Sequence, residues 1–219
     1  MAKLHTLNQP ASLPKIAYEA LRESILAGTL RRGQVYNEIA LAKDMGISRT
    51  PVREALLELA AQGLVTFLPR KGVKINHYSP GDIEEIFEVR KAIELAAVEK
   101  VAQASPPLDL GKAAAALENQ KKAAEKKDFE TLLKADREFH TALSELTNNR
   151  RFVIILENIS DMIQLMGTLA LTIEGRYREV LGEHEKVLEA VRDRRPQTAR
   201  KAMDYHLERS KTAALEARG

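Results

Sequence analysis

The sequence predicts a mainly α-helical protein with two domains, a small N-terminal domain that also contains a β-hairpin and a larger all-helical domain. Glycine and proline interrupt the first third often, whereas later the apolar residues recur with the period of about 3.6 that is typical of helices. The charge divides at the same place. Residues 1–80 hold 11 Lys and Arg against six Asp and Glu, a net +5, and residues 81–219 hold 23 against 25, a net −2. We therefore expect domains over 1–78 and 79–219, of which the basic first one meets a polyanion.

The N-terminal domain is expected to contain three helices and two short strands. Gly28 follows the apolar pattern of the first helix and Gly63 follows that of the third, as expected for helix ends. Pro51 lies in the first turn of the third helix, where backbone N–H groups have no partner within the helix. The predicted helices cover Pro14–Ala27, Asn37–Met45 and Arg49–Gln62, and the predicted strands cover Leu64–Leu68 and Val73–His77.

The second and third helices are predicted to form a helix-turn-helix, because a very short turn at Gly46 separates them. Arg49 and Arg53 lie one turn apart near the start of the third helix, outside its apolar stripe, so that both can point into one major groove. An Arg side chain can bind guanine with two hydrogen bonds, and Ser48 and Thr50 can reach phosphate or base. The apolar stripe consists of Val52, Ala55, Leu56 and Leu59.

The hairpin is predicted to form a basic wing beside this helix-turn-helix. Its tip carries Arg70, Lys71 and Gly72, which can meet phosphates or the minor groove. The alternative is a small helical domain whose arginines are merely solvated, and for Arg49 alone that alternative would be preferred. The combination of helices, tight turn, two arginines and basic wing favours double-stranded DNA as the partner.

This part of the sequence closely resembles the winged helix of GntR-family transcriptional regulators over about residues 14–77. The residues that carry the resemblance are Gly46–Leu56, Leu59, Gly63–Val65 and Arg70–Val73. The resemblance implies that Arg49 and Arg53 read bases and that Gly72 is a wing contact. Some relatives have a DNA-contacting Arg where this sequence has Ile39, so that contact should be missing here. A homodimer on a palindromic operator is expected, because one winged helix alone gives weak specificity.

After Ser79 the sequence predicts a bundle of six helices. Ser79 and Asp82 form a capping-box-like start to the first of them. The Ala- and Lys-rich stretch Lys112–Lys127 is expected to be a solvated helix. The six predicted helices cover residues 80–104, 107–127, 128–146, 150–172, 176–193 and 197–216.

One Asp and three His interrupt the apolar stripes of these helices. Asp136 and His140 are four residues apart on one helix, and His184 and His206 lie on the buried sides of two others. Buried carboxylates and imidazoles need partners, and one divalent cation bound by all four would satisfy them together. Imidazole and carboxylate ligands suit Zn, Ni, Mn or Fe, and a site of this kind agrees with the absence of Cys. The alternatives are separate core histidines and an internal Asp136–His140 pair.

This second part resembles the FCD ligand-binding domain of the FadR-type branch of GntR regulators. The residues that carry this resemblance are Glu88–Arg90, Ile93–Glu94, Asp136–His140, Asn148–Arg150, His184 and His206. Many members of that branch hold a metal with this Asp and three His, and six bundle helices rather than seven imply the shorter VanR-like subgroup. Arg90 could pair with the carboxylate of an effector, or it could be a surface Arg that bridges to Glu94.

We therefore expect a transcriptional regulator, a repressor, whose operator affinity depends on a small carboxylate bound at the metal. Two alternatives use the same Asp and His residues: a metal-dependent enzyme and a direct metal sensor. The enzyme is disfavoured because four protein ligands resemble a filled site more than a catalytic one, and no independent general base stands out. No apolar run approaches the length of a membrane span, so that a cytoplasmic protein without a membrane partner is expected.

Overall fold

The computed structural model describes residues 12–171 and 173–217, and the chain divides into two units, one that ends at His77 and one that begins at Tyr78. From residue 12 to residue 77, the N-terminal unit combines three helices with a small antiparallel sheet in which β3 lies between β1 and β2. Its elements are α1 (Leu13–Leu26), β1 (Val35–Tyr36), α2 (Glu38–Asp44), α3 (Arg49–Ala61), β2 (Val65–Leu68) and β3 (Gly72–Ile75).

The strand β1 was not predicted from the sequence. It has only two residues, which is too short for an alternating pattern to show, and it pairs Tyr36 with Val73 of β3. Gly72 allows this close approach, because a Cβ atom at that position would lie 2.2 Å from the backbone oxygen of Tyr36. The sheet therefore depends on a glycine at the start of β3, where φ is +120°.

Helices α1 and α3 pack against each other to form the core of the N-terminal unit. The stripe predicted for α3 is confirmed as buried, and it faces a buried stripe of α1. Asn37 begins α2, where its side-chain oxygen accepts hydrogen bonds from the N–H groups of Ile39 and Ala40. The buried residues are Ala17, Leu21 and Ile25 of α1 and Val52, Ala55, Leu56 and Leu59 of α3.

The described residues of the second unit, 78–171 and 173–217, form six helices, as predicted. Ser79 and Asp82 form a capping box at the start of α4. The helix expected from residue 107 begins only at Gly111, because the Asp109 carboxylate accepts the N–H of Gly111 at 2.8 Å in a local turn. The six are α4 (Pro80–Gln103), α5 (Gly111–Lys126), α6 (Phe129–Glu145), α7 (Arg150–Ala170), α8 (Arg176–Arg192) and α9 (Pro196–Glu216).

Helix α5 is not the solvated helix that its composition suggested. It packs against α6, and its small alanine side chains let the two helices come close. Its buried face consists of Ala113, Ala116, Leu117, Gln120, Ala123 and Ala124. Elsewhere in the bundle α9 packs against α4 and α8, and Phe139, Met203 and Leu207 lie in the shared core. This arrangement confirms the predicted fold class of a winged helix-turn-helix followed by an all-α six-helix bundle.

Within the described residues, every helix is too short or too polar to cross a membrane.

Candidate nucleic-acid interface and metal centre

Helix α3 presents its N-terminal end and one polar face to solvent. Ser48, Arg49, Thr50 and Arg53 are all exposed, as expected for residues that contact DNA. Ser48 begins the helix, yet its hydroxyl makes no capping hydrogen bond. Ile39 of α2, which stands where some relatives have an Arg, is 62% exposed. The surface can therefore approach a duplex without rearrangement of the core.

One carboxylate joins the two arginines of this surface. Nη1 of Arg53 donates to Oε1 and Oε2 of Glu38, both at 3.0 Å. Nε and Nη2 of Arg49 lie 3.2 and 3.1 Å from Oε2 of the same carboxylate. The Arg53 guanidinium also lies over the ring of Phe67, 5.4 Å from its centroid. Our interpretation of the sequence missed Glu38, although its place in the first turn of α2 was visible.

The hairpin between β2 and β3 carries the predicted basic tip. Arg70 and Lys71 are exposed there, and Arg70 has φ +62° in the turn. Gly72 follows them and is needed for the close approach of β1. The sheet alone therefore accounts for a glycine at this position, whether or not Gly72 contacts DNA. The structure thus brings two basic side chains to the tip as candidate phosphate contacts, and Gly72 lies directly after them as the first residue of β3.

In the second unit, three histidines from three different helices meet in the core. His140 of α6, His184 of α8 and His206 of α9 are buried, and their candidate ligand atoms lie within 4.8 Å of one another. Nε2 of His184 is 3.3 Å from Nε2 of His206. Asp136 lies beside this group of three, with one carboxylate oxygen 3.7 Å from Nε2 of His184 and the other 3.9 Å from Nε2 of His140.

Each of the three imidazoles contacts a polar side chain through Nδ1, the ring nitrogen that faces away from the centre of the cluster. His206 donates from Nδ1 to Oε2 of Glu183 at 2.8 Å, and His184 donates from Nδ1 to Oε1 of Gln120 at 2.8 Å. His140 contacts Oε2 of Glu94 through its Nδ1. Metal-binding histidines have this kind of partner on the nitrogen that does not face the metal. All three Nε2 atoms are consequently turned toward the centre.

These hydrogen bonds decide whether a cation fits between the rings. Nδ1 must carry the proton of His206, because the carboxylate of Glu183 can only accept. With Gln120 accepting from His184, the two neutral rings direct lone pairs at each other across 3.3 Å. Ligand atoms at about 2.1 Å from a divalent ion are separated by roughly 3.0–3.4 Å, which agrees with this distance. The three imidazoles therefore fit a divalent cation, and the carboxylate of Asp136 lies close enough to supply a fourth donor of suitable chemistry after a small shift.

Two buried arginines form an outer layer around the centre. Nε of Arg90 donates to Glu94 at 2.7 Å, and its Nη2 lies 3.4 Å from Nε2 of His140. Arg176 binds Glu183 with two hydrogen bonds of 2.6 and 2.9 Å. Arg90 thus forms the ion pair with Glu94 that was one of its two expected roles. It is not the surface residue expected for that role, because it is only 3% exposed.

The ionisation of these groups follows from burial and charge. Desolvation alone would raise the pKa of Glu94, but the Arg90 guanidinium and His140 hold it well below its usual range. Desolvation would likewise raise the pKa of Glu183, yet hydrogen bonds from His206 and Arg176 lower it to about 2. Burial lowers the pKa of His184 well below 6.5, and burial also lowers the pKa of His206 despite its bond to Glu183. The rings of His184 and His206 are therefore neutral and able to bind a metal.

A cavity of about 80 Å³ opens beside the centre. Its polar lining includes side chains of the centre and of the outer layer, among them Arg90, Asp136, His140, Arg176 and His206, together with Arg137, Ser160 and Gln164. Its apolar lining includes Phe87, Leu132, Leu133, Leu156, Ile163 and Met166. The space corresponds to roughly five to eight water molecules, or to a small organic ligand.

Comparison with known proteins agrees with both parts of this description. Residues 14–75 match the family described as bacterial regulatory proteins, gntR family, and residues 85–209 match the FCD domain. The chain belongs to the GntR family, with an FCD domain. As a GntR-family protein it is a DNA-binding transcriptional regulator that binds operator DNA and is not an enzyme, so the alternative of a metal-dependent enzyme is set aside.

Relatives of this GntR-family regulator match nearly its whole length. The uncharacterised HTH-type transcriptional regulator YdhC of Bacillus subtilis is 30% identical over 91% of this chain and 90% of its own. The gluconate operon transcriptional repressor of Bacillus licheniformis is 26% identical over 84% of this chain and 74% of its own. The crystal structure of a GntR regulator from Rhodococcus sp. RHA1, 24% identical, covers 94% of this chain and 99% of that one with a TM-score of 0.81, which supports the fold.

The residues that sequence reasoning missed in this regulator are those that hold the histidines. Gln120 interrupts an alanine stripe on α5, and that interruption was a visible signal. Glu183 directly precedes His184 and lies on the buried side of α8, although a Glu next to a His in sequence gives no sign that it binds a different His. Only the packing of α8 against α9 brings Glu183 to His206.

Proposed function

We propose that this regulator binds a divalent metal through Asp136, His140, His184 and His206, and that a small carboxylate bound there controls its affinity for operator DNA. The observation that carries the proposal is the convergence of three buried imidazoles, with Nε2 of His184 only 3.3 Å from Nε2 of His206, which a cation bound between the rings would satisfy. Bound Zn, Ni, Mn or Fe would supply a Lewis acid with positions open to carboxylate oxygens.

The charges around the cavity favour one carboxylate group on the effector. Among the charged residues that line the cavity, Arg90 is paired with Glu94, Arg176 with Glu183, and Arg137 with Asp161. Asp136 then remains as the single negative charge against a divalent cation, which leaves a net charge of about +1 for one anion to balance. Arg90 lines the cavity and would orient this carboxylate with the N–H groups that Glu94 does not occupy. The apolar lining would receive the rest of the molecule.

For the DNA, we propose that Arg49 and Arg53 read bases while Ser48, Thr50, Arg70 and Lys71 contact phosphates. Gly72 would come close to the duplex at the tip of the wing. Residues 1–78 would form the DNA-binding domain, and residues 79–219 would form the effector-binding and dimerisation domain. A homodimer would place two winged helices on a palindromic operator. Repression is the sign of control that we propose, since a relative is named as a repressor.

Titration of operator DNA by the full-length protein tests this proposal. A duplex that the protein selects from a randomised pool serves as the operator, and fluorescence anisotropy gives the affinity. We expect metal-loaded protein to lose about 5- to 150-fold in affinity when a small carboxylate such as lactate, butyrate or gluconate is added. Metal alone is a separate arm, because a direct metal sensor would respond to Mn, Ni or Zn without any carboxylate. Equal affinity in every arm would refute effector control.

A further inference from the structure

Glu38 of α2 binds both arginines that face the DNA, although it lies outside the recognition helix. We propose that Glu38 is the positioning residue of operator recognition: it holds Arg49 and Arg53 ready to read bases, and it offsets charge that would bind any DNA. This proposal rests on the proposed reading of bases by those two arginines.

The first support is the geometry of the carboxylate. The Glu38 side chain is only 10% exposed, whereas the side chains of Arg49 and Arg53 are 56% and 49% exposed. One oxygen of the carboxylate, Oε2, receives both arginines. The contacts therefore lie on the protein side of each guanidinium, and the outer sides remain toward solvent.

The second support is the number of donors that this bridge leaves. A guanidinium has five N–H donors, and the two-donor contact with guanine needs only one edge of it. Arg53 binds Glu38 through Nη1 alone, so that its Nη2 takes no part in the bridge. Arg49 uses Nε and Nη2 and keeps Nη1 outside the bridge. Each arginine is thus held without losing the donors that a base would need.

The third support is that Arg53 is held on a second side. Its guanidinium stacks on Phe67 of β2, so that contacts from two elements restrict the orientation of the side chain. A flexible arginine must be ordered when it binds, and ordering two of them costs roughly 5- to 150-fold in affinity. A bridge that already exists in the free protein removes much of this cost for the operator.

The charge of Glu38 acts differently on random DNA. Affinity for random DNA depends on the positive charge that meets phosphates, and each phosphate contact contributes about 0.9 to the salt slope. Two arginines and one carboxylate carry a net +1 rather than +2. Glu38 therefore weakens binding to random DNA while it strengthens binding to the operator, and both effects increase specificity.

The test compares Glu38→Gln with a matched control, Glu54→Gln, in the full-length protein. Glu54 is exposed on α3 beside Arg53, and its substitution removes the same charge and leaves the bridge in place. Affinities for the selected operator duplex and for a random duplex are measured by anisotropy from 50 to 300 mM NaCl. For Glu38→Gln we expect weaker operator binding, tighter random binding, a 5- to 150-fold lower specificity ratio, and a salt slope on random DNA steeper by about 1 per chain.

The control is expected to tighten binding to both duplexes and to leave the specificity ratio unchanged. An equal ratio for Glu38→Gln and Glu54→Gln would overturn the proposal. Glu38→Asp keeps the charge but is too short to reach both arginines, so it is expected to lower the specificity ratio without steepening the salt slope on random DNA. If Glu38→Gln does not fold, Glu38→Asp takes its place, and a wild-type specificity ratio for Glu38→Asp would overturn the proposal. Arg53→Ala distinguishes this proposal from the proposed reading of bases. If Arg53→Ala still binds the operator as tightly as wild type, Arg53 does not read bases. If Arg53→Ala loses operator binding while Glu38→Gln keeps the wild-type specificity ratio, only the role of Glu38 is overturned.

Discussion

Replacement of Glu183 by Gln tests the residues that bind the Nδ1 atoms of the histidines in the candidate metal centre. The carboxylate of Glu183 is 5% exposed and joins two buried partners, Arg176 and His206. Removal of one member of a buried ion pair costs about 3–5 kcal/mol, because the other charge loses its compensation. The pKa gives a second measure, since a fall from 4.5 in the unfolded chain to about 2 in the folded protein corresponds to about 3 kcal/mol. We therefore expect Glu183→Gln to lower the free energy of unfolding by about 3 kcal/mol at pH 7.

The pH dependence of this difference has a definite sign. The folded-state pKa of Glu183 lies below the unfolded value, so its contribution is complete above pH 4.5 and is lost as the pH falls toward 2. The difference in unfolding free energy between wild type and Glu183→Gln should be constant above pH 5. It should shrink below pH 4.5, where protonation removes the same charge from the wild type.

Urea denaturation in the presence of EDTA measures this difference without any contribution from a metal. Glu179→Gln is the matched control, because Glu179 also accepts a hydrogen bond from Arg176 at 3.1 Å but its side chain is 51% exposed. The control should cost less than about 1 kcal/mol. Without EDTA, Glu183→Gln should also lower metal affinity by about 10- to 100-fold, since it disturbs the partner of His206. If Glu183→Gln costs no more than Glu179→Gln, the buried network does not stabilise the bundle as argued.

Three further outcomes are expected. His184→Ala should lose bound metal and lower the thermal midpoint below that of EDTA-treated wild type, because it also removes a buried ring and its bond to Gln120. Full metal occupancy by atomic absorption would disprove the assignment. Burial lowers the pKa of His184 and of His206, so bound metal should be retained against a chelator from pH 7 to pH 6. The metal-free protein should lose stability below pH 6.5, because these two histidines take up protons there only in the unfolded chain. Gly28→Ala should lower the free energy of unfolding by about 1–3 kcal/mol through backbone strain, and Gly72→Ala should lower it further. A Cβ atom at Gly72 would collide with the backbone of Tyr36, whereas one at Gly28 would meet open space. Equal shifts of the thermal midpoint for the two variants would contradict this prediction.

The sequence alone predicted most of the elements and the buried stripe of α3, but not the buried face of α5. The stripe of α3, the tight turn before it, the hairpin and the six bundle helices follow local rules, because helical and strand periods repeat over a few residues. The strand β1 and the late start of α5 were missed, because they depend on a sheet partner and on a single side chain, Asp109. The Asp and three His were also found in this way, since polar residues in an apolar stripe are visible without a structure.

Tertiary structure decided what these residues contact. Glu38 meets Arg53 across 15 positions of sequence, and Gln120 meets His184 across 64. Such pairs are set by how helices pack side by side, which no local period encodes. The same packing turns Nε2 of His184 and Nε2 of His206 toward each other, whereas the sequence showed only that both rings are buried. The sequence therefore determined that polar groups lie in the core, and the packing of the helices determined which atoms of those groups converge on one point.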